Sequence, residues 1–449
     1  MIRRPVDLIL TAIVRVVLRG FFRRVEVDGD VSITTGRPVL VVANHSYGFM
    51  DPVALAYVFS RIPRFLAKST LFKLLPLRPF LALAGVIPVA RQQDGSDTST
   101  NDRIFAACSR VLARGGLVGI FPEGTTHDDP RMRTVRTGAA RIALGAFEDG
   151  VTELVIVPVG LVFDDKVALR SRLLARIGHP LPMQLLAREL IDGGMQPSEN
   201  DRDAVRHLTD RIATELRAVA PNYDEPRLEH VLRRAAEVTI RAEDGVRTGH
   251  VSLADEERLA RQIAVSGDDA VARVDAALAR YHLDLDIAGI GDLQVESRTD
   301  VRDLLRRSVV ATVWLTLLTP LAIIGLSWNV VPYTLVQLAG RVVPRPVTKG
   351  TIRLSTALLV FPLTWAFIAR TDAWDGFWPG LVVWVIAPLL GIIAIVWLEG
   401  LVHGYRDWRG WLTLTDRRAL LPAIAVARDG VVTAVRAAVP RGARAHDVG

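Results

Sequence analysis

At 449 residues the chain is longer than one typical domain, which predicts two or three structural units. Half of the residues are hydrophobic and 23% are charged, a combination that indicates a soluble part and a membrane part in one chain. The formal net charge of +7 favours anionic partners such as phospholipid surfaces, and without a recognisable reading motif nucleic acid is not an expected partner. The single cysteine, Cys108, excludes an internal disulfide and a cysteine-based zinc site, and it favours a reducing cytosolic environment.

Residues 1–24 carry arginines around an apolar run. The run has no small-residue cleavage site and an arginine-rich stretch follows at once, so we do not expect a signal peptide. An amphipathic helix on the membrane surface, with Arg15, Arg19, Arg23 and Arg24 near lipid headgroups, fits this pattern. An ordinary first helix packed on the next domain fits it equally well.

Residues 25–230 are predicted to form one domain, in which short apolar runs alternate with amphipathic segments from about residue 25 to 165. Five runs are predicted to be buried strands: Val39–Ala43, Arg64–Ala67, Val86–Pro88, Leu117–Phe121 and Leu154–Val159. Three segments have helical spacing: Pro52–Phe59, Asp102–Ala113 and Thr137–Phe147. The alternation predicts an α/β domain in which helices flank a mostly buried sheet. The stretch 166–230 within it is predicted to be helical, with loops.

The second half of the chain falls into segments of sharply different composition. Residues 231–305 form a charge-rich, predicted helical spacer, and residues 403–449 form a predicted basic tail. Between them, residues 306–402 contain three uncharged runs: Ser308–Leu338, Leu354–Ile368 and Gly376–Leu398. The first and last runs are long enough for a membrane span of roughly 20 residues, which predicts transmembrane or re-entrant helices.

Basic residues flank the uncharged runs and predict their topology. Arginines and lysines precede the first run, separate it from the second and follow the last. By the positive-inside tendency these ends lie on the cytosolic side. Two helical hairpins, bent at 327–332 and 370–375, satisfy this pattern. The expected location is the cytoplasmic membrane, with the soluble domain on its cytosolic face.

The first motif that can carry chemistry is Asn-His-Ser-Tyr-Gly-Phe-Met-Asp-Pro at 44–52, directly after a predicted strand. Asp51 followed by Pro52 is typical of a helix start. A histidine at a strand end and a carboxylate about one turn away can form a general base with its orienting partner. His45 or Asp51 alone is more often structural, so this pair needs support from a second motif.

The second motif is Phe-Pro-Glu-Gly-Thr-Thr at 121–126, and it also follows a predicted strand. Proline, glycine and threonine favour a tight turn with exposed backbone N–H groups. Glu123 held in such a turn can bind a substrate that carries hydroxyl groups. An ordinary strand-to-loop turn has the same composition.

Together the motifs resemble those of the glycerolipid acyltransferase family, which has a His–Asp motif followed by a Phe-Pro-Glu-Gly-Thr motif. Two weaker blocks, 85–91 and 156–160, lie in the family's order. The commonest family form has four residues between histidine and aspartate, whereas five separate His45 from Asp51. This spacing and the hydrophobic C-terminal extension resemble the glycerol-3-phosphate and dihydroxyacetone-phosphate acyltransferase branch.

The resemblance implies a role for each matching residue. His45 would deprotonate the acceptor hydroxyl and Asp51 would orient the imidazole, so that the acceptor attacks the thioester of acyl-CoA without an acyl-enzyme. Arg91 is the main candidate to bind the acceptor's phosphate. Neither a cofactor nor a metal is expected. The residues implied to contact the acceptor are Lys68, Arg91, Glu123, Gly124, Thr125 and Arg136.

The expected reaction is therefore acylation of glycerol 3-phosphate or dihydroxyacetone phosphate in phospholipid biosynthesis. Lysophosphatidic acid is an alternative acceptor. A non-catalytic lipid-binding scaffold is a second alternative, against which the intact set of His45, Asp51, Arg91 and Glu123 argues. A metal-dependent hydrolase that uses His45, Asp51, Glu123 and His127 is a third, although their spacing matches no recognised ligand pattern.

Overall fold

The computed structural model describes residues 5–73, 78–89, 101–244, 251–292, 295, 301–344, 346–370, 377–416 and 418–439. The chain divides into two compact units. Unit 1 comprises Met1–Asn222 and Pro332–Leu363, and unit 2 comprises Tyr223–Val331 and Thr364–Gly449. Each unit has a hydrophobic core of its own.

Unit 1 contains the α/β fold that the sequence predicts. Its strands are β1 (Phe22–Asp28), β2 (Val39–Ala43), β3 (Arg64–Lys68), β4 (Ile87–Val89), β5 (Leu117–Ile120), β6 (Val155–Phe163), β7 (Ser171–Ile177) and β8 (Leu181–Pro182). Its helices are α1 (Pro5–Phe21), α2 (Met50–Val58), α3 (Arg78–Leu83), α4 (Asn101–Leu112), α5 (Gly138–Glu148), α6 (Met183–Asp192) and α7 (Arg202–Val219).

The described strands form one eight-stranded sheet in the order β1-β7-β6-β2-β5-β3-β4, with β8 paired to β6. Strands β2, β3, β4, β5 and β6 pair in parallel, whereas β7 and β8 run antiparallel to β6. Every residue of β2 and β6 is buried, as expected for a sheet covered on both faces.

The two faces of β2 show how the layers are built. Leu40 and Val42 pack in a core with apolar side chains of α4, α5 and α7. Val39 and Val41 point the other way and pack with α1 and α2. The strand therefore lies in the middle of three layers, and its end at Ala43 is fixed from both sides.

The predicted strands and helices of unit 1 are confirmed, and three details need correction. Residues 171–177, predicted to be helical, form β7, in which Arg172 and Arg176 pair with Asp164 and Asp28 at 2.9 and 3.0 Å. Arginines four residues apart suggest one face of a helix, but these ion pairs let the arginines lie in a strand. The predicted boundary at residue 25 falls inside β1, and β6 extends four residues past the predicted end.

Helix α1 has two apolar faces. Leu18 and Phe21 belong to the core of unit 1. Leu8, Ile9 and Val16 are between 40% and 62% exposed, on a face that the domain does not cover. The helix predicted for residues 1–24 thus packs on the domain with one apolar face and exposes the other. Its contact with a membrane stays a prediction.

Unit 2 contains a bundle that corrects two of the predicted segments. Helices α8 (Pro226–Asp244), α9 (Leu253–Ala264) and α10 (Asp268–Ala288) pack with α14 (Leu421–Ala438). The segment 403–449, predicted to be a basic tail, therefore includes a helix. The helix is buried on one face because its apolar residues recur every three or four positions. Within the predicted spacer 231–305, the described helices α8, α9 and α10 supply the rest of this bundle.

Three helices in the described part of the chain are long and apolar enough to cross a membrane. They are α11 (Val301–Val342), α12 (Pro346–Ala369) and α13 (Phe377–Asp416), with candidate spans at Val309–Val342, Thr348–Ala369 and Val382–Tyr405. These helices confirm the predicted membrane region.

The hairpin bend predicted at 327–332 is wrong, because α11 continues through it. Asn329, a polar residue within the predicted bend, is buried and its side-chain amide donates to the carbonyls of Gly325 and Ala387 at 2.9 and 3.2 Å. A polar residue satisfied in this way does not interrupt an apolar helix. The second predicted bend, at 370–375, lies almost entirely outside the described residues.

Candidate active site

The two sequence motifs meet at one edge of the sheet of unit 1. Strands β2 and β5 are parallel neighbours, with Val42 opposite Ile120. The segment 44–51 follows β2 and the segment 121–136 follows β5, so both leave the sheet at the carboxyl ends of its strands. In open α/β sheets this edge is where ligands bind.

His45 and Asp51 form a hydrogen-bonded pair. His45 Nδ1 lies 2.8 Å from Asp51 Oδ2, and the backbone N–H of Tyr47 donates to the same oxygen at 2.8 Å. Asp51 lies in the first turn of α2 and is fully buried. Gly48 has a φ of +62°, a conformation that glycine adopts without strain, and so the chain accommodates the fifth intervening residue.

The opposite side of the imidazole is open. His45 stacks on Phe121 with ring centroids 4.3 Å apart, and its side chain is 20% exposed. Within the described part of the chain, Nε2 of His45 makes no hydrogen bond. A carboxylate that accepts from Nδ1 keeps the proton there and leaves the Nε2 lone pair free to take a proton.

Glu123 connects the two motifs. Its carboxylate is buried and accepts the backbone N–H groups of His45 and Arg133, each at 2.9 Å. The same carboxylate bonds His127 Nε2, and the N–H of His127 donates to the carbonyl of His45 at 3.3 Å. Both carboxylate oxygens thus have protein partners, so the geometry gives Glu123 a positioning role. Its predicted contact with the acceptor stays a prediction.

The remaining predicted acceptor residues of the second motif line the same edge. Gly124 has a φ of +71° and closes a tight turn by donating its N–H to the carbonyl of Phe121 at 3.1 Å. A Cβ atom at this position would lie 3.0 Å from Nε of Arg136, whose side chain is exposed. Thr125 is half-buried beside them.

Two predicted phosphate-binding residues are less well defined. Lys68 is the last residue of β3, which is parallel to β5, so its backbone lies at the carboxyl edge of the sheet. Arg91 follows β4 and lies outside the described residues. Their predicted roles stay predictions.

Sequence reasoning missed two residues that build this edge. Asn44 is buried, and its side chain bonds both the N–H and the carbonyl of Leu161 in β6, at 2.7 and 3.0 Å. A polar residue at the end of a fully apolar strand was the signal for this role. His127, considered only as a metal ligand, instead holds Glu123; its position four residues after that glutamate was the signal.

Tyr47 anchors the loop between His45 and Asp51. Its hydroxyl donates to the carbonyl of Lys166 at 2.5 Å, and its ring meets Phe163 edge-on with centroids 4.9 Å apart. Burial raises the pKa of Tyr47 to about 12, so the phenol remains a neutral donor at physiological pH. The loop is therefore held both at its ends and in its middle.

Exposed charges of both signs surround the site. Arg133 pairs with Asp129 at 2.8 Å, and this hydrogen bond lowers the pKa of the Asp129 carboxyl. Among the described residues no group of three or more histidine, cysteine, aspartate or glutamate side chains is arranged to hold a metal ion.

Comparisons with known proteins find similarity over the part of the chain that carries both motifs. Residues 24–162 match the family model described as Acyltransferase. Glycerol-3-phosphate O-acyltransferase 2 of Saccharomyces cerevisiae is 26% identical over 320 residues, which cover 69% of this chain and 40% of the yeast protein. Residues 24–162 of this protein therefore resemble an Acyltransferase domain. The family domain contains both motifs and ends within β6.

Two further relatives bear on the branch within the family. Glycerol-3-phosphate O-acyltransferase 1 of the same yeast is 34% identical over 109 residues, 24% of this chain and 14% of that protein. The 1-acyl-sn-glycerol-3-phosphate acyltransferase of Borreliella burgdorferi is 29% identical over 121 residues, 27% of this chain and 46% of that protein. The two yeast relatives are named for glycerol 3-phosphate, and the Borreliella burgdorferi relative is named for 1-acyl-sn-glycerol 3-phosphate. The chain spans less than half the length of each of these relatives.

Proposed function

We propose that this protein transfers an acyl group from acyl-CoA to a hydroxyl of glycerol 3-phosphate at a membrane surface. The observation that carries the proposal is the His45–Asp51 pair, in which Nδ1 is held at 2.8 Å and Nε2 is open at the sheet edge. An imidazole in this arrangement can accept a proton from a hydroxyl group placed beside Nε2.

The proposed reaction needs no covalent enzyme intermediate. The acceptor O–H gives its proton to Nε2 of His45 while its oxygen attacks the thioester carbonyl carbon. Buried Asp51 stabilises the imidazolium that forms. The C–S bond then breaks, and the departing thiolate of CoA takes the proton back from His45. The products are the ester and free CoA, and His45 returns to its starting state.

The proposal of glycerol 3-phosphate as the acceptor rests on the names of two relatives and on cationic residues that the sequence motifs single out. The two yeast relatives are named as glycerol-3-phosphate acyltransferases. Arg91, Lys68 and Arg136 are proposed to bind the acceptor's phosphate, and Gly124 and Thr125 to line its pocket. Lysophosphatidic acid is the second candidate acceptor, because the relative from Borreliella burgdorferi is named for the acylated substrate.

The membrane proposal rests on how α12 begins. Leu354 of this apolar helix is buried in the core of unit 1, whereas Leu359 and Leu363 further along are 48% and 60% exposed. A helix that leaves the domain in this way supports a position of the domain at the bilayer surface, where acyl chains would be accessible. Basic residues before and within its first turns, such as Arg341 and Lys349, favour the cytosolic face.

The test is acyl transfer by the detergent-solubilised 449-residue protein from radiolabelled palmitoyl-CoA. Glycerol 3-phosphate and lysophosphatidic acid are offered in parallel, and the lipid products are separated. We expect labelled lysophosphatidic acid from the first acceptor at a rate well above that with the second. The reverse preference would move the protein to the second candidate function. No transfer to either acceptor from a folded preparation would contradict the proposed function and favour the lipid-binding scaffold.

A further inference from the structure

The first turns of α12 contact the active-site loop in unit 1. This helix is a candidate membrane span, yet three of its early residues meet residues 46–50 or the adjoining segment 164–170. Residues 46–50 are the five residues between His45 and Asp51. The contacts are made by Gly350, by the hydroxyl group of Thr351 and by the guanidinium group of Arg353.

Gly350 makes the closest contact. It is buried against the ring of Tyr47, and a Cβ atom built on it would lie 2.6 Å from Cε2 of that ring. Real side chains do not approach this closely, so any larger residue would displace Tyr47 or the helix. Tyr47 also presents its backbone N–H to Asp51 Oδ2. Displacement of Tyr47 therefore reaches the carboxylate that orients His45.

Thr351 supplies a hydrogen bond that the loop does not provide for itself. The backbone N–H of Phe49 donates to Oγ1 of Thr351 at 3.3 Å. Phe49 is the N-cap residue of α2, and its side chain makes no capping hydrogen bond there. Backbone N–H groups at a helix start need outside partners. The α12 hydroxyl thus supports the start of the helix that carries Asp51.

Arg353 holds the segment on the other side of Tyr47. It is 6% exposed and donates to the carbonyl of Val167 at 2.5 Å, next to the Lys166 carbonyl that accepts from Tyr47. Burying a guanidinium is unfavourable unless it has such partners. Leu354 follows it into the core of unit 1. The helix is therefore docked through both polar and apolar contacts.

We propose that Gly350, Thr351 and Arg353 are positioning residues for the His45–Asp51 pair, so that α12 is part of the catalytic framework as well as a membrane anchor. The inference rests on the proposed function, because it assigns the three residues to the reaction that His45 performs. They act through the loop 46–50 and touch neither substrate nor His45. Misplacing a catalytic group by about 1 Å costs on the order of 10²-fold in rate.

The test compares three threonine variants by steady-state acyl transfer. Thr351→Val keeps the shape and removes the acceptor for Phe49 N–H, and Thr351→Ser restores a hydroxyl. The matched control is Thr356→Val, at a half-buried position one and a half turns along the same helix. We expect Thr351→Val to lower kcat about tenfold or more with KM for palmitoyl-CoA within about twofold. Thr351→Ser and Thr356→Val should stay within about twofold of wild type.

A second pair of variants tests the glycine. Gly350→Val should lower kcat at least as far as Thr351→Val, since the new side chain meets the ring of Tyr47. Gly404→Val is the matched control, because Gly404 lies in α13 and a Cβ atom added there would have no other heavy atom within 4 Å. Equal effects of Gly350→Val and Gly404→Val would contradict the proposal.

Amide hydrogen exchange of residues 44–58 separates the inference from the proposed function. We expect Thr351→Val to speed exchange in this segment, whereas Thr356→Val should leave it unchanged. Wild-type protein that transfers no acyl group would contradict the proposed function while the exchange still reports the α12 contact. Active wild type with normal kcat and normal exchange in Thr351→Val would overturn the inference.

Discussion

Both units of the protein bury charged side chains, but they use them differently. In unit 1, Asp51 and Glu123 are buried and hold His45, whose side chain is 20% exposed and whose Nε2 has no hydrogen-bond partner among the described residues. In unit 2, Asp292 accepts a hydrogen bond from the hydroxyl of Tyr281 at 2.6 Å. Its carboxylate also forms ion pairs with Arg241 at 3.0 Å and with Arg428 at 3.2 Å. The first network ends at an exposed, titratable atom, and the second ties helices of the bundle together.

The comparison shows what separates a structural network from a reactive one. A buried polar network stabilises a fold when its members satisfy one another. It becomes chemically useful when one member keeps an unused proton acceptor at the surface. By this criterion the carboxyl edge of the sheet is where the proposed reaction is expected, although the bundle also contains buried ion pairs.

The largest expected effect is a loss of kcat that distinguishes Asp51 in unit 1 from Asp292 in unit 2. Asp51→Asn leaves the shape of the site but lets the imidazole carry its proton on Nε2, so we expect kcat to fall about 10³- to 10⁴-fold. Asp292→Asn is the matched change in the bundle and should leave kcat within about twofold. Steady-state transfer measurements on both proteins check this, and similar losses of kcat would contradict the distinction.

The next effect concerns Glu123. Glu123→Gln removes one acceptor from the link between the two motifs, and we expect kcat to fall about 10- to 100-fold because the loop that carries His45 loosens. The free energy of unfolding should also fall by roughly 1–3 kcal/mol, since a buried donor loses its partner. Exposed Glu153→Gln is the control for both measurements. A variant with raised KM for glycerol 3-phosphate and unchanged kcat would instead indicate direct acceptor binding.

A smaller effect is expected on stability in unit 2. Asp292→Asn weakens the ion pairs with Arg241 and Arg428, so we expect the free energy of unfolding to fall by about 1–3 kcal/mol. Chemical denaturation followed by circular dichroism measures this loss. An unchanged denaturation midpoint would show that these ion pairs add little to the bundle.

The smallest effect is confined to alkaline pH. Because burial raises the folded-state pKa of Tyr47 from 10.0 to about 12, its neutral phenol contributes stability that is complete below pH 10. That contribution is lost as the pH rises towards 12, by roughly 1.4 kcal/mol per pH unit. Tyr47→Phe should show a shallower decline in unfolding free energy over this range. A decline identical to that of wild type would contradict the assigned pKa.

Much of unit 1 was predictable because its strands are apolar and short. Runs such as Val39–Ala43 have no polar residue, and the segments between them have helical spacing. Strand β7 was not predictable, since its charged ends are neutralised by residues distant in sequence, Asp28 among them. The continuity of α11 through Asn329 depends in the same way on a partner carbonyl some sixty positions away, at Ala387.

The reactive pair was predictable from its motif, but its supports were not. His45 and Asp51 lie six positions apart and share one loop. The acceptor for Phe49 N–H, by contrast, comes from Thr351, about three hundred positions further along. Glu123 was predicted at the site, whereas its bonds to backbone N–H groups became visible only with the fold.

The most direct test of the central claim, that His45 is the proton acceptor, is single-turnover palmitoyl transfer by His45→Ala. The control is His179→Ala, which changes an exposed histidine of the same unit. We expect His45→Ala to bind palmitoyl-CoA as wild type does and to transfer at least about 10³-fold more slowly. His179→Ala should transfer at the wild-type rate. Transfer by His45→Ala at the wild-type rate would contradict the claim.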